Sequence, residues 1–247
     1  MSARSFTRRS VGAFARRVGR PQLVGALYPR ARRLEDEALA TTAVLAAGLG
    51  GESTYVDVGS NRGQVLRDAV RIAPAARHVA FEPIPSLAAE IERELPAVDC
   101  RALALGASPG HARFCHFTKL DGWSGLQRNP DITDERGAPE YIDVEVSTLD
   151  AQLPDLGAAV VKIDVEGAEL QVLEGGRGVL ARAHPLLIFE HQPETAELYG
   201  ASSAALWDLL SELGYAIFSI TGEGPFARER FGSAAGYVNW LASPRAA

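Results

Sequence analysis

Tyr55-Val-Asp-Val-Gly-Ser-Asn-Arg-Gly-Gln-Val-Leu-Arg-Asp-Ala69 is the stretch on which the fold turns. Its first residues are a short apolar run that ends beside an acid. Gly59-Ser60-Asn61-Arg62-Gly63 follows, and the remainder has helical spacing. A buried strand feeding a glycine turn and then a helix gathers backbone N–H groups at one point. Open α/β sheets bind nucleotide-like cofactors there. The loop is therefore expected to receive the anionic end of a ligand.

The pattern continues outward. Residues 78–82 form a second apolar run ending at Glu82, closed by Pro83 and Pro85. Residues 98–105 read as a third strand, with helices at 64–72 and 86–95 between the runs. That βαβαβ order implies parallel strands joined by right-handed crossovers. Residues 112–117 and the cleanly alternating 142–149 read as added strands, separated by an irregular stretch at 118–141. The rhythm resumes with a strand at 159–163, a helix at 167–183 and a strand at 185–189. A helix at 202–213 leads to two strands, 215–220 and 237–241. The connection between those two is too short for a crossover helix, so they should pair antiparallel at one edge.

Composition sets outer bounds. The chain has 247 residues, 47% apolar and 23% charged, which suits one large domain. A net charge of −6 argues against nucleic acid as a partner. Cys100 and Cys115 form no Cys-x-x-Cys pair, so neither a disulfide framework nor a zinc site is expected. No apolar run reaches the ~20 residues that span a bilayer. Arginines interrupt the first residues, unlike a secretory signal. These features point to a reducing, cytoplasmic setting. Arg4, Arg8, Arg9, Arg16, Arg17, Arg20, Arg30, Arg32 and Arg33 precede the first acid, Glu35. With Phe6, Val11, Phe14 and Val18 at helical spacing they read as a surface helix. The sharper alternative is a basic arm that touches a membrane surface or another anionic partner. Pro21 and Pro29 are expected breakers, and a helix is expected at 34–47. The division is then a basic extension with a helix, 1–49, and a main domain, 50–247.

Four strand ends carry the chemistry. Asp57, Gly59, Asn61 and Gly63 form the first. A dinucleotide fingerprint would need glycine at 61 and 64, where Asn61 and Gln64 stand, so a pyrophosphate cofactor is disfavoured. The two lysines, Lys119 and Lys162, follow no glycine, which excludes a Walker A loop. Glu82, about 20 residues past the loop, is placed to accept both hydroxyls of a ribose. Lys162-Ile-Asp-Val-Glu-Gly167 ends a central strand in acids. Asp164 is a candidate base or metal ligand, and Glu166 reads first as a helix-dipole acid. Glu190-His191-Gln192 ends the next strand, where a histidine can take a proton near neutrality. No His-Glu-x-x-His helix or Gly-x-Ser-x-Gly elbow is present.

On these residues the chain resembles the FkbM family of S-adenosylmethionine-dependent methyltransferases. The matching pieces are Val56-Asp-Val-Gly-Ser-Asn-Arg-Gly63, Ala80-Phe-Glu-Pro83, Ala102-Leu-Ala-Leu-Gly106 and Val144-Glu-Val-Ser-Thr-Leu-Asp150. Val161-Lys-Ile-Asp-Val-Glu-Gly-Ala-Glu169 and the Glu190-His191 strand end complete the set. The resemblance implies a class I, Rossmann-like, doubly wound α/β sheet of seven strands, mostly parallel, with one antiparallel strand near the C-terminus. It implies O-methylation of a sugar, glycan, glycolipid or polyketide-type hydroxyl. It also implies that Gly59, Asn61 and Gly63 face the methionine end of the cofactor. Glu82 with Pro83 would bind the ribose, and Leu103 to Leu105 would lie near the adenine. His191 or Asp164 is the expected general base. The rival within the class is a divalent ion such as Mg²⁺ held by Asp164 and Glu190. A non-catalytic cofactor- or glycan-binding subunit and an NAD or nucleotide-sugar enzyme are the readings from other classes. Trp123, Arg128 and Tyr141 in the irregular stretch offer aromatic and polar groups suited to a small-molecule or glycan acceptor, and an ordinary mobile lid has the same pattern.

Overall fold

The computed structural model describes residues 21–130, 132, 138–232 and 236–245. The chain falls into two compact units, residues 1–39 and 40–247. The apolar stripe and first arginines of residues 1–20 lie outside the described residues. No helix among the described residues is long and apolar enough to cross a membrane. Helix α1 spans Pro21–Gly48 and runs through Pro29, which the sequence marked as a breaker. Proline forfeits one backbone bond inside a helix without necessarily ending it.

The main unit is built on a seven-stranded sheet. Its strands are β1 Thr54–Val58, β2 Arg77–Phe81, β3 Val98–Arg101, β7 Ala159–Ile163, β8 Leu186–Glu190, β9 Tyr215–Ser219 and β10 Asn239–Pro244. The order is β3-β2-β1-β7-β8-β10-β9. Strands β1, β2, β3, β7 and β8 are parallel, and β10 runs antiparallel to both β8 and β9. The expected antiparallel finish is present, with one refinement: the last strand inserts between β8 and β9, and β9 takes the edge. Every residue of β1 and β7 is buried, as expected for central parallel strands covered on both faces.

Alternation along these strands divides the core. Val56, Val58, Val161, Ile163 and Phe189 pack on one face. Tyr55, Val160 and Ile188 pack on the other, with Leu66 of α2 (Gln64–Ile72) and Leu45 of α1. The sheet order reverses between β1 and β7, so a crevice opens at their carboxyl ends.

The third strand departs from its expected range. Residues 98–105 divide into β3 and β4, Ala104–Leu105. The short β4 turns into a second sheet of order β4-β6-β5, with β5 Gly110–His116 and β6 Glu140–Ser147. The helix expected at 167–183 is also two helices, α5 Glu169–Glu174 and α6 Arg177–Ala183. The break falls at Gly175-Gly176, where the backbone packs so closely that a β-carbon on Gly175 would lie 2.0 Å from the Gly106 carbonyl oxygen.

Helix α3, Pro85–Glu94, starts with proline at a first-turn position, where the missing N–H is no loss. Helix α4 is Leu149–Gln152, α7 Pro193–Glu197, α8 Ser203–Glu212 and α9 Arg228–Phe231. The Ser202 side chain caps α8 by accepting from the Ala205 amide, as its position predicts.

Candidate active site

Gly59, Asn61 and Gly63 all take positive φ, at 78°, 48° and 66°. For Gly59 the need for glycine is a matter of space: a β-carbon there would lie 1.9 Å from the Asp164 carbonyl oxygen. The loop is therefore wedged against the end of β7. Its amides are not free, which corrects the expectation of an anion nest. Gly59 and Ser60 donate to the Phe81 carbonyl at 2.9 and 3.2 Å, and Gly63 to that of Ser60 at 2.7 Å. Asn61 donates to Glu82 Oε2 and Arg62 to Asn61 Oδ1, both at 2.7 Å. The turn consumes its own donors, so the loop contributes shape rather than an oxyanion site.

Glu82 is 3% exposed and ties two elements together. Its Oε2 takes the Asn61 amide, and its Oε1 takes the Ile84 amide at 2.8 Å at the entry to α3. Burial pushes its carboxyl up to about 7 against the pull of those two N–H groups, with Asp57 and Asp121 adding repulsion. Each oxygen keeps a further lone pair for a ligand hydroxyl.

A cleft opens beside this carboxylate, its roughly 700 Å³ of atom-free space including open solvent at the mouth. Gly59, Asn61, Glu82, Pro83, Leu105 and Asp164 line it, with Leu103 and Ala104. Glu82, Asp121, Asp164 and Glu166 are the charged residues of its wall; no Lys, Arg or His lines it among the described residues. Asp57, Gly63, Glu190 and His191 are not part of the wall. Gly63 instead occupies the N-cap position of α2.

Asp57 lies beneath the cleft, 1% exposed, beside Lys162 on the neighbouring strand. Lys162 Nζ is 3.6 Å from Asp57 Oδ1, an ion pair without a hydrogen bond, and 3.0 Å from Asp164 Oδ2. Burial pushes the Asp57 carboxyl up, although Lys162 opposes this. Burial also disfavours the Lys162 charge, but Asp164 and Asp57 outweigh it and hold the ammonium above its usual range. At Asp164 burial acts upward, yet Lys162 and a hydrogen bond from Glu190 bring the carboxyl below its usual value. Glu190 is pushed the other way, by burial and then by Asp164. The two carboxyls therefore titrate as a pair, with the charge favoured on Asp164 and disfavoured on Glu190.

Glu166 stands at φ 56°, a strained position for a non-glycine residue. It precedes α5 and does not cap it, contrary to the first reading of its role. Glu169 does that work, 1% exposed, with Oε1 accepting from the Val165 and Gly167 amides at 3.0 and 3.2 Å. Glu166 instead faces the cleft, and burial followed by repulsion from Asp164 pushes it up to about 8. Oxygens of Asp164, Glu166 and Glu190 lie within 4.8 Å of one another. The acid-x-acid spacing of Asp164 and Glu166 was the available signal. The left-handed turn that aims Glu166 inward leaves no pattern in sequence.

His191 sits apart from the cleft wall. It is 2% exposed, its Nε2 is 2.7 Å from Ser203 Oγ, and its ring stacks on Phe231 at 5.1 Å. Burial pulls its pKa down to about 4. The ring is held between α8 and α9 rather than in the wall of the cleft, where the expected base would stand.

Part of the irregular stretch roofs the cleft. A 3₁₀ turn, Asp121–Trp123, supplies Asp121, and Gly122, Ser124 and Leu126 continue the wall. Arg62 of the glycine loop pairs with Asp121. The Gln127 amide donates to Tyr199 Oη at 3.0 Å. Trp123 and Tyr141, the aromatic groups suited to an acceptor, are 45% and 46% exposed outside the wall. Arg113 lies 4.2 Å over the Tyr141 ring.

A sheet of order β3-β2-β1-β7-β8-β10-β9, its penultimate strand in space antiparallel and its crevice at the β1 carboxyl end, is the class I methyltransferase fold. Within that class the chain belongs to the FkbM methyltransferase family: a model of the methyltransferase FkbM domain matches residues 57–217. It is similar to methyltransferase sdnD of Sordaria araneosa, 32% identical over 161 residues, 52% of this chain and 62% of sdnD. It is also similar to the AMB antimetabolite synthetase AmbE of Pseudomonas aeruginosa, 25% identical over 204 residues, 67% of this chain and 10% of AmbE. The match thus spans less than two thirds of either relative. Among solved structures, the FkbM methyltransferase of Methylobacillus flagellatus KT aligns with a TM-score of 0.49 at 15% identity, over 79% of this chain and 44% of that one.

Proposed function

We propose that this chain transfers a methyl group from S-adenosylmethionine to a hydroxyl of a sugar, glycan, glycolipid or polyketide-type acceptor in the cytoplasm. The observation that carries the reading is the wall of the cleft, which bears four carboxylates and no cationic side chain among the described residues. Such a wall favours a cofactor with cationic sulfonium and ammonium groups and repels the pyrophosphate of NAD. The donor set fits piece by piece. Glu82 and Pro83 would hold the ribose, and Leu103, Ala104 and Leu105 offer the apolar wall an adenine needs. Asn61 and Gly59 would border the methionine end, with Asp164 and Glu166 beyond them.

The cofactor supplies a methyl group already activated on sulfur. The chain's own task is placement and proton removal. Positioning of two reactants in one cleft can contribute roughly 7–11 kcal/mol. Where an acceptor hydroxyl takes the methyl group, its one proton would pass to one of the two carboxylates at the end of β7, Asp164 or Glu166. Asp164 is the ionised member, held from behind by Lys162. Glu166, pushed up to about 8, has the proton affinity of a base working near neutrality.

Titration calorimetry with S-adenosylmethionine and NAD tests the reading, followed by mass spectrometry for a gain of one methyl on candidate polyols. Binding of NAD alone would refute it. Binding of the methyl donor without transfer to any hydroxyl would favour a non-catalytic subunit.

A further inference from the structure

Three carboxylates with oxygens within 4.8 Å of one another suit a hard divalent ion. Here, however, a positive charge already stands at the cluster. Lys162 Nζ lies 3.0 Å from Asp164 Oδ2, and the side chain is buried, entering from the sheet rather than from the cleft. Strand geometry puts it there. Lys162 is in register with Asp57 on β1, and Asp164 follows two residues later, just past the end of β7. Ile163 is in register with Phe189, so Asp164 faces Glu190 across the strand ends. A buried ammonium is tolerated only with partners, and both of its partners are strand-end carboxylates. Lysine is a compact point charge, unlike the planar fork of arginine.

We propose that Lys162 is a positioning residue that stands in for a divalent ion: its ammonium fixes the Asp164 carboxylate and supplies the charge that lets Asp164, Glu166 and Glu190 stand together at the strand ends without metal. The kinetic part rests on the methyl-transfer reading; the metal-binding part does not.

The test uses the full chain after EDTA treatment, with Mn²⁺ as the probe read by electron paramagnetic resonance. The wild-type chain is expected to take up no stoichiometric Mn²⁺, and its turnover should not respond to EDTA. Lys162→Met should bind S-adenosylmethionine within about threefold of wild type while kcat falls about tenfold or more. It should also gain one Mn²⁺ site. Lys162→Arg should recover part of kcat without gaining that site. One Mn²⁺ per wild-type chain, lost in Asp164→Asn, would overturn the proposal. So would Lys162→Met with wild-type kcat or with no gain of Mn²⁺. If Lys162→Met does not fold, the wild-type Mn²⁺ titration still decides the matter. If the wild-type chain fails to bind S-adenosylmethionine, the methyl-transfer reading falls and the Mn²⁺ arm stands.

Discussion

Gly59 and Asp164 touch so closely that a single added carbon on Gly59 would lie 1.9 Å from the Asp164 carbonyl oxygen. The contact sets the glycine loop against the acid-bearing end of β7, so Gly59, Asp164 and Glu166 share one wall. Gly59→Ala adds that carbon at φ 78°. The strain and the collision should lower the melting temperature by roughly 5–10 °C and abolish binding of S-adenosylmethionine. A variant that melts and binds like wild type would contradict the close approach.

Glu82 spends one lone pair of each oxygen on the amides of Asn61 and Ile84. In Glu82→Gln the side-chain NH₂ must point at one of those N–H groups, and the charge is lost. Calorimetry should show the methyl donor bound about 10–100-fold more weakly.

Asp164→Asn keeps the shape of the rim and removes the charge that faces Lys162. Turnover should fall by about 10²–10⁴ with donor affinity changed little. His191→Ala should behave in the opposite way. It removes the ring that bonds Ser203 and stacks on Phe231, at a cost of about 1–3 kcal/mol in chemical denaturation. The fraction that remains folded should turn over at close to the wild-type rate. Loss of turnover at full stability would return His191 to the mechanism.

Burial pushes both Glu82 and Glu169 from about 4.5 in the unfolded chain up to about 7. The folded state therefore binds these protons more tightly. Their contribution to stability is fully present below pH 4.5 and is lost as pH rises through 7. The loss is on the order of 3 kcal/mol per group. Guanidinium denaturation of the cofactor-free chain should show lower stability at pH 8 than at pH 5. Binding of the methyl donor should tighten over the same range as Glu82 ionises and accepts the ribose hydroxyls. Stability that rises from pH 5 to pH 8 would contradict the buried, proton-binding state of both groups.

The strands, the crossovers and the acid at each strand end could be read from local pattern. Apolar runs of β1 and β7 specify buried strands, and Gly59, Glu82 and Asp164 stand at the strand ends that line the cleft. These features depend on neighbours a few residues apart, which sequence displays directly. The division of labour among the acids depends on register between strands about 100 residues apart. Asp57 looked like a ligand residue because it ends a strand, yet pairing with β7 sets it against Lys162 beneath the cleft. Glu166 and Glu169 look alike in sequence. The left-handed turn at Glu166 and Gly167 sends one into the cleft and the other into the start of α5. His191 follows a strand whose neighbour β10, inserted from the far end of the chain, brings α9 and Phe231 over its ring. Sequence alone therefore determined the sheet and its rim. Tertiary packing decided which carboxylates face the cleft and which face a counter-charge, because burial and pairing exist only once distant strands are side by side.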